Sequence, residues 1–199
     1  MKEHRTPRAG LTVERIVAAA AELADEQGFE NVTVSGVARR FGVKDASLYS
    51  HIKNLRELRT RLALFAGSEM TERIADAVAG RAGKDAPAAF AGAHREYALR
   101  HPGRYAATRT RLDPSLAADS PALRRTAEIT YGMLRAYGLD EPDLTDAVRL
   151  LRSTFHGYCA LEAADGFTAP RDVRASWNKA VEALHITLLN WPRETCRGT

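Results

Sequence analysis

Residues 42–54, GVKDASLYSHIKN, concentrate polar side chains that could carry chemistry. Ser47, His51 and Asp45 are the residue types of a nucleophile, its base and an orienting acid. Lysine, serine, tyrosine and histidine side chains also donate hydrogen bonds to DNA phosphates and base edges. The stretch is therefore either a catalytic loop or a helix that contacts DNA, and the spacing of its residues distinguishes the two.

The spacing argues against catalysis. Ser47 and His51 are four residues apart and would lie side by side on a helix. Asp45 is six residues before His51, more than one and a half helical turns away, so it cannot also orient the imidazole ring. The chain has no GxSxG pattern of a hydrolase nucleophile. We therefore predict that the protein is not an enzyme.

The elements that position these side chains are predicted to be helices. Ala, Leu, Arg and Glu dominate, and the alternation typical of strands is nearly absent, so we expect an all-α fold. Apolar periodicity and Gly or Pro punctuation predict helices at 12–27, 34–41, 54–81, 87–100, 103–111, 120–137, 142–165 and 172–191. Thr12 and Thr33 are the expected N-caps of the first two.

Two short helices joined by a glycine turn predict a helix-turn-helix. The first helix needs a small residue where the second crosses it, the turn needs a residue that tolerates positive φ, and the second helix needs an inward apolar residue. Ala38, Gly42 and Leu48 meet these three requirements. The polar residues of the second helix must then face outward. Asp45 could accept a hydrogen bond from a cytosine amino group or serve only to counter the helix dipole.

The distribution of charge agrees with a DNA-binding surface. Residues 31–61 carry seven Lys and Arg against two Asp and Glu, although the whole chain has a net charge of only +4. A basic patch of this kind attracts phosphates, and an ordinary solvated surface is the alternative. Residues 1–8 add Lys2, Arg5 and Arg8 against Glu3, and residues 1–10 are expected to form either an arm that orders on the DNA backbone or a plain tail.

Composition sets the broad class of protein. Hydrophobic residues make up 45% of 199 residues, which is enough for a sizeable core, and no segment is long and apolar enough for a membrane helix. The N-terminus has no apolar segment of the signal-peptide kind. The two cysteines, Cys159 and Cys196, lack CxxC spacing. We expect a cytoplasmic protein with no membrane partner, no cofactor and no structural zinc site.

The stretch TVSGVARRFGVKDASLYSHIKN resembles the helix-turn-helix of the TetR family of bacterial repressors, and is close to the tetracycline repressor type. The resemblance covers residues 12–60. It implies a homodimer with a DNA-binding domain at 1–56 and a ligand-binding and dimerisation domain at 57–199. The partners it implies are a pseudo-palindromic double-stranded operator and a small-molecule effector. Matching positions place Val34, Ser35, Lys44, Asp45, Ser47, Tyr49, His51 and Lys53 at the DNA.

Two positions depart from the family pattern. Where the family usually has a phosphate-binding lysine at the start of its fourth helix, this chain has Leu55, and Lys53 or Arg56 is the candidate replacement. Phe155-His156-Gly157 stands where one family subgroup, which the C-terminal region resembles, usually has Trp-His-Gly.

Aromatic residues of the C-terminal region would converge if its helices packed together, and an apolar pocket with few polar anchors is the usual form of a ligand site. The candidate ligand-binding residues are Phe90, Tyr97, Tyr105, Arg109, Tyr131, Met133, Phe155, His156 and Tyr158, with His101 as a further anchor. The alternative is that these aromatics form an ordinary core and that His156 is a core histidine. His94, Glu96 and His101 are not spaced to place three metal ligands on one helix face, so we expect no metal site.

The last two helices offer a dimer surface. Trp177, Val181, Leu184, Leu188 and Trp191 form an apolar stripe at helical spacing. On the preceding helix, Leu150, Gly157 and Leu161 share one face, and Gly157 would allow close approach. The alternative is that the stripe is buried inside its own subunit.

The predicted function is a ligand-responsive transcriptional regulator, a repressor that a small molecule releases from its operator. The alternative function is a helical protein-interaction module without specific DNA binding. Steep loss of affinity with salt would distinguish DNA binding from the alternative.

Overall fold

A computed structural model describes residues 10–118 and 120–192. This part of the chain contains ten α-helices, one 3-10 turn and no strand, which confirms the predicted all-α fold. The helices are α1 (Val13–Gln27), α2 (Val34–Phe41), α3 (Asp45–Tyr49), α4 (Leu55–Val78), α5 (Asp85–Arg100), α6 (Pro102–Ala107), α7 (Pro114–Ala117), α8 (Pro121–Arg135), α9 (Asp143–Ala163) and α10 (Val173–Leu189), with the 3-10 turn at Phe29–Asn31. Residues 1–9 of the predicted arm, 1–10, lie outside the described residues.

The first two helices begin at the predicted caps. The Thr12 hydroxyl accepts a hydrogen bond from the Arg15 amide at 3.3 Å, and the Thr33 hydroxyl accepts one from the Gly36 amide at 3.0 Å. Each bond satisfies an amide that the first turn leaves without a helical partner. Gly28, with φ of 89°, follows α1 and ends it at Gln27, the predicted end of this helix.

The described chain forms two compact units, and their boundary differs from the predicted one at residue 56. The first unit contains the described residues up to 66 together with 103–118, and the second contains 67–102 and 120–192. The first unit extends beyond residue 56 because Leu58, Leu62 and Ala63 of α4 are buried in its core. It also includes α6, where Ala107 is fully buried in the same core.

The core of the first unit is built from α1, α2, α3, the first turns of α4, and α6. Ile16, Val37, Leu48, Leu58 and Leu62 are completely buried in it. Burial of one such side chain contributes about 2 kcal/mol to folding, so this small unit depends on each of them.

The second unit is held by an aromatic cluster and a mostly buried ion pair. The Phe155 ring lies 6.1 Å from that of Phe90 and 5.5 Å from that of Trp177, measured between centroids. Arg95 lies over the Trp177 ring at 5.9 Å and pairs with Glu162. Because only 17% of each charged side chain is exposed, removing one partner would leave a largely buried charge unpaired.

Between residues 107 and 121 the structure differs from the sequence prediction. α6 ends at Ala107 and not at 111, and a short helix, α7, occupies 114–117, where only a turn was expected. The Asp113 carboxylate accepts a hydrogen bond from the Ser115 amide at 3.0 Å, and Pro114 fills the first helical position. An Asp cap followed by Pro favours a helix start as well as a turn, which explains the difference.

Within residues 10–118 and 120–192, none of the helices has the length and apolar character that crossing a membrane requires.

Candidate nucleic-acid interface

α2 and α3 form a helix-turn-helix with a left-handed glycine at the turn. Gly42 has φ of 64° and ψ of 33°, a conformation that glycine adopts without steric cost. The amides of Gly42 and Val43 both donate to the Ala38 carbonyl, which closes the end of α2. Ala38 is 1% exposed and Leu48 is fully buried. The predicted roles of Ala38, Gly42 and Leu48 are therefore confirmed.

α2 is held firmly against α1. A Cβ added to Gly36 would lie 3.0 Å from Leu23, so the absent side chain lets the two helices approach closely. Arg40 of α2 forms ion pairs with Glu22, at 3.4 Å, and with Glu26. These contacts fix the helix that supports α3.

The outer surface of α3 and the residues after it are polar and accessible. Lys44, Ser47 and Lys53 are exposed, His51 is partly buried, and Tyr49 is 52% exposed although it is a large aromatic residue. An exposed tyrosine beside exposed lysines suits a contact with a sugar–phosphate backbone. We define Lys44, Ser47, Tyr49, His51 and Lys53 as the recognition surface.

Three predicted DNA-contact residues have a structural role in the free protein. The Ser35 hydroxyl donates to the Asp45 carboxylate, which ties the start of α2 to the start of α3. Asp45 is only partly exposed, so this bond competes with its predicted contact to a base. Val34 is 6% exposed and belongs to the core, so its side chain is not available to DNA, although it begins α2 next to exposed Ser35.

The start of α4 is stabilised next to the recognition surface. The Asn54 side chain accepts from the Glu57 amide at 2.9 Å, and the Glu57 carboxylate accepts from the Lys53 amide at 2.7 Å. The Lys53 amide, followed by the ion pair with Arg61, lowers the pKa of Glu57. Lys53 therefore projects from a fixed backbone, as a phosphate contact requires.

The predicted ligand-binding residues do not gather in one place. Phe90 and Phe155 are buried in the aromatic cluster of the second unit, and the partly buried Tyr158 contacts Trp177 at 5.1 Å between centroids. Tyr97 is fully buried, and its hydroxyl donates to Glu69 at 3.2 Å.

The other predicted ligand-binding residues are divided between the two units. Tyr131, Met133 and His156 of the second unit are all partly buried. Tyr105 and Arg109 belong to the first unit, where the guanidinium group lies 5.4 Å from the centre of the tyrosine ring. The structure therefore gathers only part of the predicted set, around Phe155.

The predicted dimer residues also divide into two groups. Trp177, Val181 and Leu188 are at most 8% exposed and lie in the core of their own unit, as in the alternative considered for this stripe. Burial within the chain leaves these side chains little surface for a partner. Leu150, Gly157 and Leu184 are partly buried, and Leu161 is 50% exposed.

A groove between α5 and α10 was not predicted from the sequence. Its volume is about 390 Å³; Trp177, Val181 and Ala88 supply apolar surface, and Lys84, Asp85, Glu182 and His185 supply polar surface. His185 is held by Tyr137, whose hydroxyl lies 2.7 Å from Nδ1 of the ring. The groove combines an apolar surface with a few fixed polar groups, as small-molecule sites do. No group of three His, Cys, Asp or Glu residues in the described chain is arranged to hold a metal ion.

Two helices joined by a glycine turn, with polar residues on the second helix and exposed lysines on either side of it, define a DNA-binding protein of the helix-turn-helix class. Two family models match the chain: "Bacterial regulatory proteins, tetR family" over residues 16–61 and "Tetracyclin repressor-like, C-terminal domain" over residues 87–184. The chain belongs to the TetR family of transcriptional regulators. This family consists of ligand-responsive DNA-binding repressors, so the alternative of a protein-interaction module is not favoured. The subgroup suggested by Phe155-His156-Gly157 stays a prediction.

Relatives and solved structures agree with this assignment. The chain is 36% identical over 158 residues to the uncharacterized HTH-type regulator Rv0681 of Mycobacterium tuberculosis, covering 77% of this chain and 71% of the relative. It is 29% identical over 184 residues to the uncharacterized HTH-type regulator YobS of Bacillus subtilis, covering 92% and 96%. The TetR family protein ActR of Streptomyces coelicolor in complex with (S)-DNPA shares the fold, with a TM-score of 0.69, 20% identity, and coverage of 92% of this chain and 100% of that chain.

Proposed function

We propose that this chain acts in the cytoplasm as a homodimeric repressor that binds a pseudo-palindromic operator and is released from it by a small molecule. The observation that carries the proposal is the recognition surface, a largely exposed set of polar and basic residues on and beside α3, which the Gly42 turn holds against α2. Two copies of α3 in a symmetric dimer would contact half-sites about 34 Å apart, or a near multiple.

The dimer is proposed to form through the exposed apolar residues of α9 and α10. Leu161 is 50% exposed, Ile186 53% and Leu189 60%, and large apolar side chains at such exposure favour association. Gly157 of α9 is only partly buried, and a Cβ added there would meet no atom of the rest of the described chain, beyond its own stretch of helix, within 4 Å. A partner helix could therefore approach α9 closely at this position. We refer to these four residues as the dimer surface.

The effector is proposed to bind the groove between α5 and α10. Its volume of about 390 Å³ lies within the range of small-molecule sites, roughly 300–1,000 Å³. The apolar surface of Trp177 and Val181 favours a ligand with an aromatic or aliphatic face. Lys84 can donate hydrogen bonds and the carboxylates of Asp85 and Glu182 can accept them, so the polar lining favours a ligand that also carries hydrogen-bonding groups. A small-molecule complex of ActR, which has the same fold, is consistent with such a response.

α4 supports the proposed coupling of ligand and DNA binding, because one helix contributes to both units. Its residues up to 66 belong to the first unit and those from 67 to the second. A ligand can release DNA only if it prefers the conformation that binds the operator less well. A shift of α4 would change the separation of the two recognition surfaces in a dimer.

Titration of the purified protein onto the DNA that flanks its own coding region tests the proposal. Fluorescence anisotropy at two salt concentrations, with unrelated DNA as competitor, measures affinity, specificity and stoichiometry. We expect specific binding of dimers whose affinity falls by roughly one log unit per log unit of salt for each neutralised phosphate. Binding that any DNA displaces equally, at this region and in a genome-wide pull-down, would contradict the proposal.

The groove is tested with a ligand found by screening for release from that operator. Ala88 is exposed and lines the groove, so Ala88→Trp would fill it while leaving the first unit unchanged. We expect the variant to bind the operator normally and to need at least about tenfold more ligand for release. The control is Ala136→Trp, at an exposed position outside the groove. Equal release of both variants would place the effector elsewhere.

A further inference from the structure

A second pocket, which we call the arginine pocket, has a volume of about 320 Å³ and lies in the first unit beside the start of α4. It is lined by Leu55, Arg56, Arg59 and Thr60 of α4 and by Thr110 and Arg111 from the segment after α6. The lining contains three guanidinium groups, two hydroxyl groups and no carboxylate. Such a set of donors fits an anion, because arginine presents paired N–H groups that match the oxygen atoms of phosphate or carboxylate.

Arg59 is held in place before any ligand arrives. Its Nη2 donates to the Glu30 carbonyl oxygen at 2.7 Å, and its guanidinium group lies 5.4 Å from the centre of the Phe29 ring. The buried Nε–H of Arg59 has no hydrogen-bond partner within the described chain. A buried donor without an acceptor is costly, and a bound oxyanion is one way to satisfy it.

The carboxylates near the pocket do not neutralise all of its positive charge. Arg56 lies 3.5 Å from Asp113, but that carboxylate also accepts two hydrogen bonds from Ser115. Arg111 is exposed and makes no ion pair with any residue that the structure describes. Arg59 is paired with Glu30 at 3.4 Å, so the lining keeps one guanidinium group without a counter-charge.

We propose that this pocket is a binding site for a small oxyanion of the phosphate type, separate from the effector groove. Arg111 and Arg56 would hold its charge, and the hydroxyl of Thr110 or Thr60 would donate the further hydrogen bond that a phosphate oxygen accepts. Two sources can supply this chemistry: a free phosphate ion or ester, and a backbone phosphate of the operator.

The second source is relevant because the pocket is electrostatically linked to the recognition surface. The Ser115 hydrogen bonds are the main cause that lowers the pKa of Asp113, and the charges of Arg56 and Lys53 contribute. Lys53 therefore lies within electrostatic range of the ion pair at the pocket rim. The pocket also begins at Leu55, two residues after Lys53 of the recognition surface.

Calorimetric titration of the full chain with sodium phosphate, without DNA, tests the free-ion source. Sodium chloride at matched ionic strength is the blank. The variants are Arg111→Gln, Thr110→Val and the control Arg135→Gln, an exposed arginine at the end of α8. We expect phosphate to bind the wild type and Arg135→Gln saturably. The affinity of Arg111→Gln for phosphate should be lower by at least about tenfold, because a charge-assisted hydrogen bond is lost. Circular dichroism confirms that each variant is folded.

Operator titration over a range of salt concentrations, with the same variants, tests the backbone source. If the pocket takes an operator phosphate, Arg111→Gln should reduce the slope of log affinity against log salt by about one, and Arg135→Gln should not. If the protein binds phosphate but Arg111→Gln does not change the slope, the site is assigned to a free ion. If the slope changes but no phosphate binding is detected, the site is assigned to an operator phosphate. Absence of both effects overturns the proposal. The calorimetric arm does not depend on DNA binding, so it can fail or succeed independently of the proposed function.

Discussion

Gly103 is the position where one added carbon should harm the first unit most. A Cβ built on it would lie 1.9 Å from the Ala24 carbonyl oxygen and 2.6 Å from the Asp25 amide nitrogen. These are backbone atoms of α1, which cannot rotate away as a side chain could. Real Cβ atoms essentially never approach within 3.0 Å, so Gly103→Ala would force α6 and α1 apart by about 1 Å.

The loss in the free energy of unfolding depends on the contacts that this displacement would break. Arg104 follows Gly103, and its amide donates to Asp25 at 2.9 Å while its Nε lies 3.0 Å from the same carboxylate. Forced overpacking typically costs about 1–3 kcal/mol, and this contact is with rigid backbone, so the upper end applies. The gain in helix propensity from Gly to Ala offsets about 1 kcal/mol. We expect a net loss of about 2 kcal/mol or more in the free energy of unfolding.

Urea unfolding followed by circular dichroism measures this loss, and operator affinity reports on the recognition surface. The matched control is Gly132→Ala on α8, where an added Cβ meets no heavy atom within 4 Å. The control should be stabilised by up to about 1 kcal/mol, as at an open helical position. If Gly103→Ala were as stable as the wild type, the close docking of α6 on α1 would be refuted.

Three further predictions concern the second unit, the dimer surface and DNA. Burial lowers the pKa of His94 from 6.5 to about 4, so the folded protein keeps this ring neutral where the unfolded chain takes up a proton. Urea unfolding at a series of pH values should show stability falling from pH 6.5 to 4, by up to about 3 kcal/mol, and the fall should be smaller in His94→Gln. If the proposed dimer forms through the dimer surface, Leu161→Arg should shift it towards monomer in light scattering, because a charge cannot be buried unpaired in an apolar contact. Tyr49→Phe combined with Lys53→Ala should weaken binding to all DNA sequences, whereas Lys44→Ala should change sequence preference in a binding-site selection assay.

Specific outcomes would contradict each of these three predictions. An unchanged pH profile in His94→Gln would assign the acid sensitivity to other groups. A Leu161→Arg protein that stays dimeric at micromolar concentration would exclude Leu161 from the interface. An unaltered operator profile for Lys44→Ala would show that this residue does not contact bases.

The features that could be predicted from the sequence depend on residues close together in the chain. Thr12 and Thr33 cap helices through amides three residues later, and Gly42 ends α2 through a carbonyl four residues earlier. The polar surface of α3 was predictable for the same reason, since a five-residue helix with one buried leucine must expose its other side chains.

Periodicity could not decide what an apolar stripe contacts. Trp177, Val181 and Leu188 share one face of α10, and the same spacing suits a dimer interface and a core. The chain buries that face itself. Ile186 and Leu189, on the exposed side, lie outside the regular stripe and gave no signal in the sequence.

Both pockets join segments that are far apart in the sequence. The groove joins residues 84–92 to 177–185, and the arginine pocket joins 55–60 to 110–111. Neither set of residues forms a sequence motif. The residues around a lysine or arginine that lines a pocket do not distinguish it from one on an ordinary surface. Only the tertiary fold identifies them.

Residues 103–118 belong to the first unit, although the segments on both sides of them in the sequence belong to the second. The chain passes between the two units within α4, between residues 102 and 103, and again near residue 119. A ligand that rearranged α5 or α8 in the second unit would therefore pull on α6 and its following segment as well as on α4. α6 is docked on α1 at Gly103, and the segment after it carries Arg111 of the arginine pocket. We therefore expect the ligand response to depend on both connections, so that loosening α6 from α1 weakens the coupling between ligand and operator even where operator binding alone survives.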